Sequence, residues 1–202
     1  DEKLNDLLFQ LREFGRLKKY DPNKKRFYYT NGELKDFDER YAFEIIGYNL
    51  RMTDVCASLG VPQLNKLDEL NNKRVEITNY YTQHLSKYSE YLQLPVTPAG
   101  YFHSVYGYPI TIKETDLFTR KELVNYLEDH RIDTRAILAG NLTIQPAYRN
   151  ENIKIVGELK NSNYITNNSF FIGCHSFINN ECRKHVVSTF DNFFKMINER
   201  IA

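Results

Sequence analysis

The order of strand-like and helix-like segments in the second half of the chain is the feature that most constrains its fold. Apolar runs typical of strands cover residues 106–113, 134–138 and 169–174, and the last run is continuous enough to favour a buried strand. Pro109 predicts that the first part of the first strand lies at a sheet edge, because proline donates no ladder hydrogen bond. Thr-Arg-Lys-Glu at 119–122 has the spacing of a capping box, which predicts a helix start. The sequence therefore predicts a small α/β domain here.

A last helix is predicted at the C-terminal end of the chain. Asn179 or Asn180 can cap its first turn. Apolar residues then recur at the three- and four-residue spacing of an amphipathic helix. The members of this apolar face are Val186, Val187, Phe190, Phe193, Phe194, Ile197 and Ile201. We expect this face to lie in the core of the domain.

The first half of the chain contains two further predicted helices. Residues 2–14 carry leucines at helical spacing, and Gly15 suits the end of this helix. Residues 61–91 are predicted to form one long helix, about 45 Å in length, with Pro62 in its first turn. Its apolar stripe is predicted to comprise Leu64, Leu67, Leu70, Ile77, Tyr81, Leu85 and Tyr88. Residues 92–98 hold two prolines and are interpreted as a linker.

The position of the first helix bears on whether the chain is complete. It begins almost at the first residue, there is no initiator Met, and a helix with one apolar stripe needs a surface on which to pack. We therefore expect this chain to be the later part of a longer polypeptide.

Two local signals precede the long helix. Asn31-Gly32 lies between aromatic and polar runs and is typical of a hairpin turn. Asn49 can cap a short helix that Gly60, followed by Pro62, is predicted to end. Asn49 and Arg51 at the mouth of that helix would suit a phosphate, because both donate hydrogen bonds and a helix N-terminus favours negative charge. The alternatives are an ordinary loop-to-helix junction and, for Arg51, a surface ion pair.

Composition excludes several classes of function. The 27 basic and 26 acidic residues give a net charge of +1, which argues against nucleic acid as the main partner. The sequence contains no apolar run of about 20 residues, so no membrane-spanning helix is predicted. Cys56, Cys174 and Cys182 have neither disulfide-framework nor metal-ligand spacing, and we interpret them as reduced thiols of a cytoplasmic protein. The sequence also contains no self-contained catalytic set.

Three blocks of sequence carry a resemblance to a known family. They are Gly-Tyr-Asn-Leu-Arg-Met-Thr-Asp at 47–54, Asp-Thr-Arg-Ala-Ile-Leu-Ala-Gly-Asn-Leu-Thr-Ile-Gln-Pro-Ala-Tyr at 133–148, and Asn-Asn-Ser-Phe-Phe-Ile-Gly-Cys-His at 167–175. In this order they resemble the DegT/DnrJ/StrS family of pyridoxal-phosphate-dependent nucleotide-sugar aminotransferases. Within it, the chain is most similar to the branch of nucleotide-4-keto-6-deoxyhexose 3-dehydratases.

The resemblance implies an architecture. The chain would be the C-terminal portion of a fold-type-I aminotransferase, with a long interdomain helix and a small domain that contains a short antiparallel sheet. Residues 1–60 would be a remnant of the large cofactor domain with a loop at the active site and dimer interface. Residues 61–91 would be the interdomain helix, and residues 92–202 the small domain. The Schiff-base lysine, or the histidine that replaces it in the dehydratases, would lie before Asp1.

The resemblance also implies roles for individual residues. Asn49, with Arg51 nearby, would reach across a homodimer interface to the phosphate of the partner subunit's pyridoxal phosphate. The substrate-binding residues would be Arg135, Asn141, Gln145 and Tyr148, although Asn141 also suits a plain turn. His175 is a candidate acid/base or sugar contact, and equally a histidine satisfied at a strand end. No iron–sulfur cluster is expected, because Leu17-Lys18-Lys19-Tyr20 follows Gly15-Arg16 where some dehydratases carry cysteines.

Three functional hypotheses remain open at this point. The first is a 3-dehydratase that removes a hydroxyl from a nucleotide-linked 4-keto-6-deoxy sugar and supplies a 3-deoxy sugar to surface glycans, including lipopolysaccharide. The second is an aminotransferase that uses glutamate as amino donor for the same class of sugar. The third is a non-catalytic dimerisation or binding module that kept the small-domain fold.

Overall fold

The computed structural model describes residues 1–16, 28–31, 34–50 and 58–201. The helices in these ranges are α1 (Glu2–Arg12), α2 (Gly60–Leu64), α3 (Leu67–Leu85), α4 (Arg120–Asp129), α5 (Lys160–Asn168) and α6 (Asn180–Ile201). The strands are β1 (Tyr28–Asn31), β2 (Leu34–Asp38), β3 (Leu92–Gln93), β4 (Gly107–Ile112), β5 (Thr134–Ala136) and β6 (Ser169–Gly173). The combination of helices with a small antiparallel sheet confirms the predicted α/β class.

The chain divides into two units. Unit 1 combines Asp1–Ala57 with Ala136–Thr166, and unit 2 combines Ser58–Arg135 with Asn167–Ala202. The assignment of 136–166 to unit 1 was not foreseen, because periodicity along the sequence carries no information about distant pairings. The predicted division of the chain at residues 60 and 91 is not tested by these units and stays a prediction.

The sheet of unit 2 has the strand order β3-β4-β6-β5. β4 pairs antiparallel with β3 and with β6, where Tyr108 lies opposite Ile172. β3 pairs only with the last two residues of β4. Among the described strands, the part of β4 that contains Pro109 is therefore paired with β6 only. Pro109 therefore lies where a missing N–H is tolerated, as predicted. The linker predicted over 92–98 was wrong at its first two residues, which form β3.

The hydrophobic core of unit 2 forms around β4, β6 and three helices. α6 packs against both α3 and α4. On β4, every second residue is buried, which is the pattern of a strand with one face on a core. The apolar face predicted for the last helix is buried over Val186, Val187, Phe190, Phe193, Phe194 and Ile197. The predicted core of this half of the chain is therefore confirmed.

The predicted helix caps of unit 2 are present. The Thr119 hydroxyl accepts a hydrogen bond from the Glu122 backbone N–H at 3.2 Å, and the Glu122 carboxylate accepts one from the Thr119 N–H at 2.8 Å. At the start of α6, the Asn179 carboxamide oxygen accepts from the Cys182 N–H at 2.9 Å. Local sequence therefore fixes both helix starts.

The single helix predicted over 61–91 is wrong, because the structure divides it. Asn65 and Lys66 separate α2 from α3, and the Lys66 N–H bonds to the Gln63 carbonyl at 3.0 Å, a three-residue connection that breaks the helical ladder. α3 has 19 residues, which gives a length of about 28 Å. A turn of 3₁₀-helix at Ser86–Tyr88 follows it.

The apolar stripe predicted for that helix is buried only in its second half. Ile77, Tyr81 and Leu85 are fully buried. In contrast, Leu64 and Leu67 are 67% and 47% exposed. The period of the stripe predicted the helix face correctly, but it could not show how far along the helix the core extends.

The helix end predicted at Gly60 is partly visible: Ser58 is helical and Leu59 is a turn residue, so a helix does end just before Gly60, but a second helix starts at Gly60 itself. Gly60 is the first residue of α2, and Pro62 lies in the first turn of that helix. A proline costs nothing there, since the first N–H groups of a helix have no intrahelical acceptor. Most of the helix predicted between Asn49 and Gly60 falls in residues 51–57, which lie outside the described residues.

Unit 1 contains α1 and a hairpin. β1 and β2 pair antiparallel, with Tyr28 opposite Asp38 and Asn31 opposite Leu34, which confirms the predicted hairpin. Gly32 of the predicted turn lies outside the described residues. α1 ends at Arg12, two residues earlier than predicted, and its side chains include no buried residue.

Two general features of the sequence can be compared with the structure. In the described ranges, no helix has both the length and the apolar composition needed to cross a membrane. Cys174 is a buried free thiol and Cys182 an exposed one, while Cys56 lies outside the described ranges. Burial raises the pKa of the Cys174 thiol, so Cys174 is a poor nucleophile.

Candidate functional site

Unit 1 contains a cavity of about 360 Å³, here called the Arg16 cavity. Its walls come from the segment after α1, from residues 41–47, and from the loop 138–148. The lining consists of Phe14, Arg16, Tyr41, Phe43, Ile45, Ile46, Gly47, Leu138, Ala139, Leu142 and Tyr148. Arg16 is the charged residue in this otherwise aromatic and aliphatic set. A volume of this size is in the range of small-molecule sites, about 300–1,000 Å³.

Two glycines allow the first two walls to meet. Phe14 and Gly15 both have positive φ, 65° and 83°, which turns the chain sharply after α1. A Cβ atom on Gly15 would lie 1.6 Å from the Ile45 carbonyl oxygen, and one on Gly47 would lie 2.1 Å from the Gly15 nitrogen. The absence of both Cβ atoms therefore permits the contact that places Arg16 at the cavity.

Backbone hydrogen bonds hold this crossing together. The Phe14 N–H donates to the Tyr48 carbonyl at 2.9 Å, and the Glu44 N–H donates to the Gly15 carbonyl at 2.9 Å. Arg16 also forms an isolated antiparallel bridge with Phe43. The wall is thus fixed by main-chain contacts and not by side-chain packing alone.

Gln145 ties the loop wall to the residues 41–43. It is fully buried, and its side-chain Nε2 donates to the Ala139 carbonyl at 2.9 Å and to the Tyr41 carbonyl at 3.5 Å. Its Oε1 accepts from the Phe43 N–H at 3.4 Å. These contacts are structural, and the predicted contact of Gln145 with substrate stays a prediction.

Asn141 is engaged within the chain in the same way. It is 5% exposed. Its Oδ1 accepts from the Thr143 N–H at 3.0 Å and from the Thr143 hydroxyl at 2.8 Å, and its Nδ2 donates to Asn163 at 2.6 Å. The geometry gives Asn141 the role of a buried turn residue, the alternative left open by the sequence. Its predicted substrate contact is not tested by this geometry alone.

The remaining predicted residues of unit 1 lie at or near the cavity. Tyr148 lines it and is half-buried. Asn49 lies two residues beyond Gly47, is exposed, and forms a bridge with Glu13 through its backbone. Arg51 lies outside the described residues. Tyr148 therefore lines the cavity, whereas Asn49 does not, and the predicted roles of both residues stay predictions.

Arg135 and His175 belong to unit 2. Arg135 forms an ion pair with Asp133, with 2.9 Å between Nη2 and Oδ2. His175 follows β6 and is exposed, and its Nδ1 accepts from the Phe177 backbone N–H at 3.3 Å. Both residues therefore have partners within their own unit, and their predicted roles stay predictions.

A second cavity, of about 420 Å³, lies within unit 2. Its lining includes Tyr81, whose buried hydroxyl has no hydrogen-bond partner among the described residues. None of the substrate-binding residues predicted from the sequence lines this cavity. The Arg16 cavity is therefore the better candidate for the functional site.

Comparison with known proteins identifies the family. The family model described as the DegT/DnrJ/EryC1/StrS aminotransferase family matches residues 1–191, which is most of the chain. The chain belongs to this family. The resemblance found in the three sequence blocks is thereby confirmed.

Curated members of the DegT/DnrJ/EryC1/StrS family match most of this chain. The lipopolysaccharide biosynthesis protein RfbH of Salmonella typhimurium is 39% identical over 171 residues, which are 84% of this chain and 39% of RfbH. The dTDP-4-dehydro-2,6-dideoxy-D-glucose 3-dehydratase of Saccharopolyspora spinosa is 33% identical over 197 residues, 95% of this chain and 42% of that enzyme. The chain therefore spans about two fifths of the length of these curated relatives.

A solved structure shows the same fold. The Escherichia coli GDP-4-keto-6-deoxy-D-mannose-3-dehydratase, with bound hydrated PLP, superimposes with a TM-score of 0.58 at 22% identity. The superposition covers 94% of this chain and 48% of that one. The fold is thus that of fold-type-I aminotransferases, as predicted.

The described residues fit only part of a pyridoxal phosphate site. A Schiff-base lysine needs burial or a neighbouring cation to lower its pKa, and every lysine whose side chain the structure describes is exposed. Asn49 is exposed, and its carboxamide has no hydrogen-bond partner among the described residues, so it is free to donate to a phosphate. This chain can therefore contribute to the cofactor's phosphate site, whereas the covalent anchor has no candidate among its described residues.

Sequence reasoning missed Arg16 as a site residue. It appeared only as part of the Gly15-Arg16 pair that marks where cluster-binding cysteines would follow. A usable signal was present in the alternation of Tyr41, Phe43 and Ile45, which places three large side chains on one face of an extended segment. The pairing of that segment with Arg16 is long-range and was not visible in the sequence.

Proposed function

We propose that this chain is the C-terminal part of a pyridoxal-phosphate-dependent enzyme that removes the 3-hydroxyl of a nucleotide-linked 4-keto-6-deoxyhexose. The observation that carries this proposal is the similarity to a protein named as a 3-dehydratase, which extends over 95% of the chain. The loop 138–148, which forms one wall of the Arg16 cavity, lies within the sequence block that is most similar to the dehydratase branch. The relative RfbH is named for lipopolysaccharide biosynthesis, so we propose a surface glycan as the destination of the product.

In such an enzyme, the residues of this chain would bind the cofactor's phosphate and orient the sugar substrate. Bound pyridoxal phosphate would supply an electron sink next to the carbon that loses its hydroxyl. Asn49 would donate to its phosphate in the partner subunit of a homodimer. Gln145 and Asn141 would hold the loop 138–148 in place through buried hydrogen bonds, so that Tyr148 faces the sugar from a fixed backbone.

Electron balance gives a test of the reaction. Replacement of the hydroxyl by hydrogen is a two-electron reduction, and glutamate would supply the electrons by becoming 2-oxoglutarate with release of ammonia. The full-length enzyme, incubated with a nucleotide-4-keto-6-deoxyhexose and glutamate, should give a sugar that lacks one oxygen atom, with one ammonia for each 2-oxoglutarate. Mass spectrometry and an ammonia assay measure both products. A full-length enzyme that binds no pyridoxal phosphate and leaves every such sugar unchanged would contradict the proposal.

An aminotransferase is the second candidate, because the family itself is named for that activity. In that reaction the nitrogen of glutamate stays on the sugar, so an amino sugar forms and no ammonia is released. The same incubation therefore distinguishes the two candidates.

The contribution of Asn49 can be tested in the same enzyme. Asn49→Ala should weaken retention of the cofactor, measured by its absorbance after dialysis, because one donor to the phosphate is lost. The matched control is Asn72→Ala, an exposed asparagine of α3. Equal cofactor retention in both variants would remove Asn49 from the phosphate site.

A further inference from the structure

Arg16 is a charged side chain without a charged partner among the described residues. Its Nε atom is buried and has no hydrogen-bond partner among the described residues. No carboxylate in the described part of the chain forms an ion pair with it. A buried N–H donor without an acceptor is costly, because that N–H gives up water and receives no partner in exchange. The arrangement is therefore that of a site prepared for an anion.

The surroundings of Arg16 indicate what kind of anion fits. Its Cζ atom lies 5.7 Å from the centre of the Tyr41 ring and 6.0 Å from that of the Phe43 ring. Aromatic faces attract a guanidinium by cation–π interaction, and a guanidinium can make a bidentate contact with a phosphate. The other walls of the Arg16 cavity are apolar or aromatic, which suits a ring attached to that phosphate.

We infer that the Arg16 cavity binds the nucleoside diphosphate part of the substrate, with the Arg16 guanidinium on a phosphate. The identification of the phosphate with a nucleotide rests on the proposed function. The cofactor also carries a ring and a phosphate, so the experiment must distinguish these two sources. Arg16 acts here as a residue that binds the unreacting part of the substrate, and its loss should weaken binding without removing the cofactor.

The experiment uses the full-length enzyme with its cofactor bound. The probes are GDP, dTDP, UDP and CDP together with the four matching nucleosides, and calorimetry measures their dissociation constants. The quantity of interest is the preference for a diphosphate over its nucleoside, because this ratio isolates the phosphate contact. Arg16→Gln removes the charge. Arg16→Lys keeps the charge but loses the planar guanidinium that can make a bidentate contact with a phosphate. The control is Arg12→Gln, which removes an arginine whose side chain is 54% exposed.

The wild-type enzyme should prefer at least one diphosphate at least ten-fold over its nucleoside. Arg16→Gln should abolish most of that preference, Arg16→Lys should keep part of it, and Arg12→Gln should keep all of it. The absorbance of the bound cofactor should be the same in all four proteins. If Arg16→Gln does not fold, as judged by circular dichroism, Arg16→Lys decides the question.

Three results would overturn the inference. One is an undiminished preference in the folded Arg16 variants. Another is a wild-type enzyme that binds none of the four diphosphates. The third is a variant that loses the cofactor while its preference for the diphosphate stays, which would assign Arg16 to the cofactor's phosphate. If the wild type shows an Arg16-dependent preference and yet converts no nucleotide sugar, the proposed function fails and the nucleotide site stands.

Discussion

At the scale of single residues, the loop 138–148 owes its shape to two buried carboxamides. Gln145 and Asn141 together bond to carbonyl, amide and hydroxyl groups of both the loop and its neighbours. A buried carboxamide contributes stability only when its donors and acceptors are matched, as they are here. In Asn141 these bonds use Oδ1 and one of the two Nδ2 hydrogens, so a structural role stands beside the predicted contact with a sugar hydroxyl.

Asn141→Ala tests which role dominates. The substitution removes a cap on Thr143 and the bond with Asn163, so the free energy of unfolding should fall by about 2–3 kcal/mol. Urea unfolding measures this fall, and Asn150→Ala, at an exposed loop position, should change stability by less than about 0.5 kcal/mol. An Asn141→Ala enzyme with unchanged stability and a raised KM would instead show that Asn141 contacts the substrate.

Phe190 is the corresponding test of the core in unit 2. Its ring is fully buried, whereas Phe177 is 83% exposed. Phe190→Ala should lower the free energy of unfolding by about 3–5 kcal/mol, because it removes buried apolar surface and leaves a cavity. Phe177→Ala makes the same chemical change outside the core and should cost little. Equal midpoints in urea for the two variants would contradict the burial of Phe190.

At the scale of secondary-structure elements, the crossing of the segment after α1 with residues 43–48 positions the Arg16 cavity. The two segments approach each other so closely that neither Gly15 nor Gly47 has space for a methyl group. This crossing, and not helix packing, is the feature that brings Arg16 to the aromatic rings.

Gly47→Ala should therefore destabilise unit 1 by about 2–3 kcal/mol, since a Cβ would meet backbone atoms that cannot move independently. Gly60→Ala is the matched control, because nothing lies within 4 Å of its Cβ position and it lies in α2. That change should alter the free energy of unfolding by less than about 0.5 kcal/mol, because Gly60 is the exposed first residue of α2. Thermal unfolding of both variants measures the difference, and a neutral Gly47→Ala would show that the crossing is looser than described.

At the scale of the whole molecule, buried tyrosines make the free energy of unfolding depend on pH in the alkaline range. Burial raises the pKa of Tyr108 to about 12, compared with about 10 in an unfolded chain. Between these values the unfolded state loses the proton while the folded state keeps it, so the unfolded state gains relative stability as pH rises. Stability contributed by this group is complete below pH 10 and is lost towards pH 12.

Tyr108→Phe should separate this effect from packing. The variant loses the hydrogen bond between the Tyr108 and Thr82 hydroxyls, which are 2.9 Å apart, so it should be less stable at pH 8 by about 1 kcal/mol. Its stability should then decline less steeply than that of the wild type between pH 10 and pH 12. Tyr101→Phe, at a position 75% exposed, should follow the wild type. Urea midpoints across this pH range measure the slopes, and identical slopes for Tyr108→Phe and the wild type would contradict the burial effect.

The sequence alone determined the features that depend on neighbours along the chain. Four such features were predicted correctly, because each rests on contacts within a few residues. They are the capping box at Thr119, the cap at Asn179, the apolar face with Phe190 and Phe194, and the hairpin around Asn31. The three sequence blocks sufficed for the family, since they preserve order and spacing. The prediction of a single helix over 61–91 failed at Asn65 and Lys66, because the apolar periodicity of the sequence continues across a break in the helical hydrogen-bond ladder.

Only the tertiary structure decided what depends on distant parts of the chain. The grouping of 136–166 with 1–57, the bond between Asn141 and Asn163, and the aromatic setting of Arg16 each require residues more than 20 positions apart to meet. Sequence periodicity indicates which face of a helix or strand is apolar, but it does not indicate which other element packs against that face. For that physical reason the fold class and the family were readable from the sequence, while the cavity, and an arginine with no ion pair to any described residue, were not.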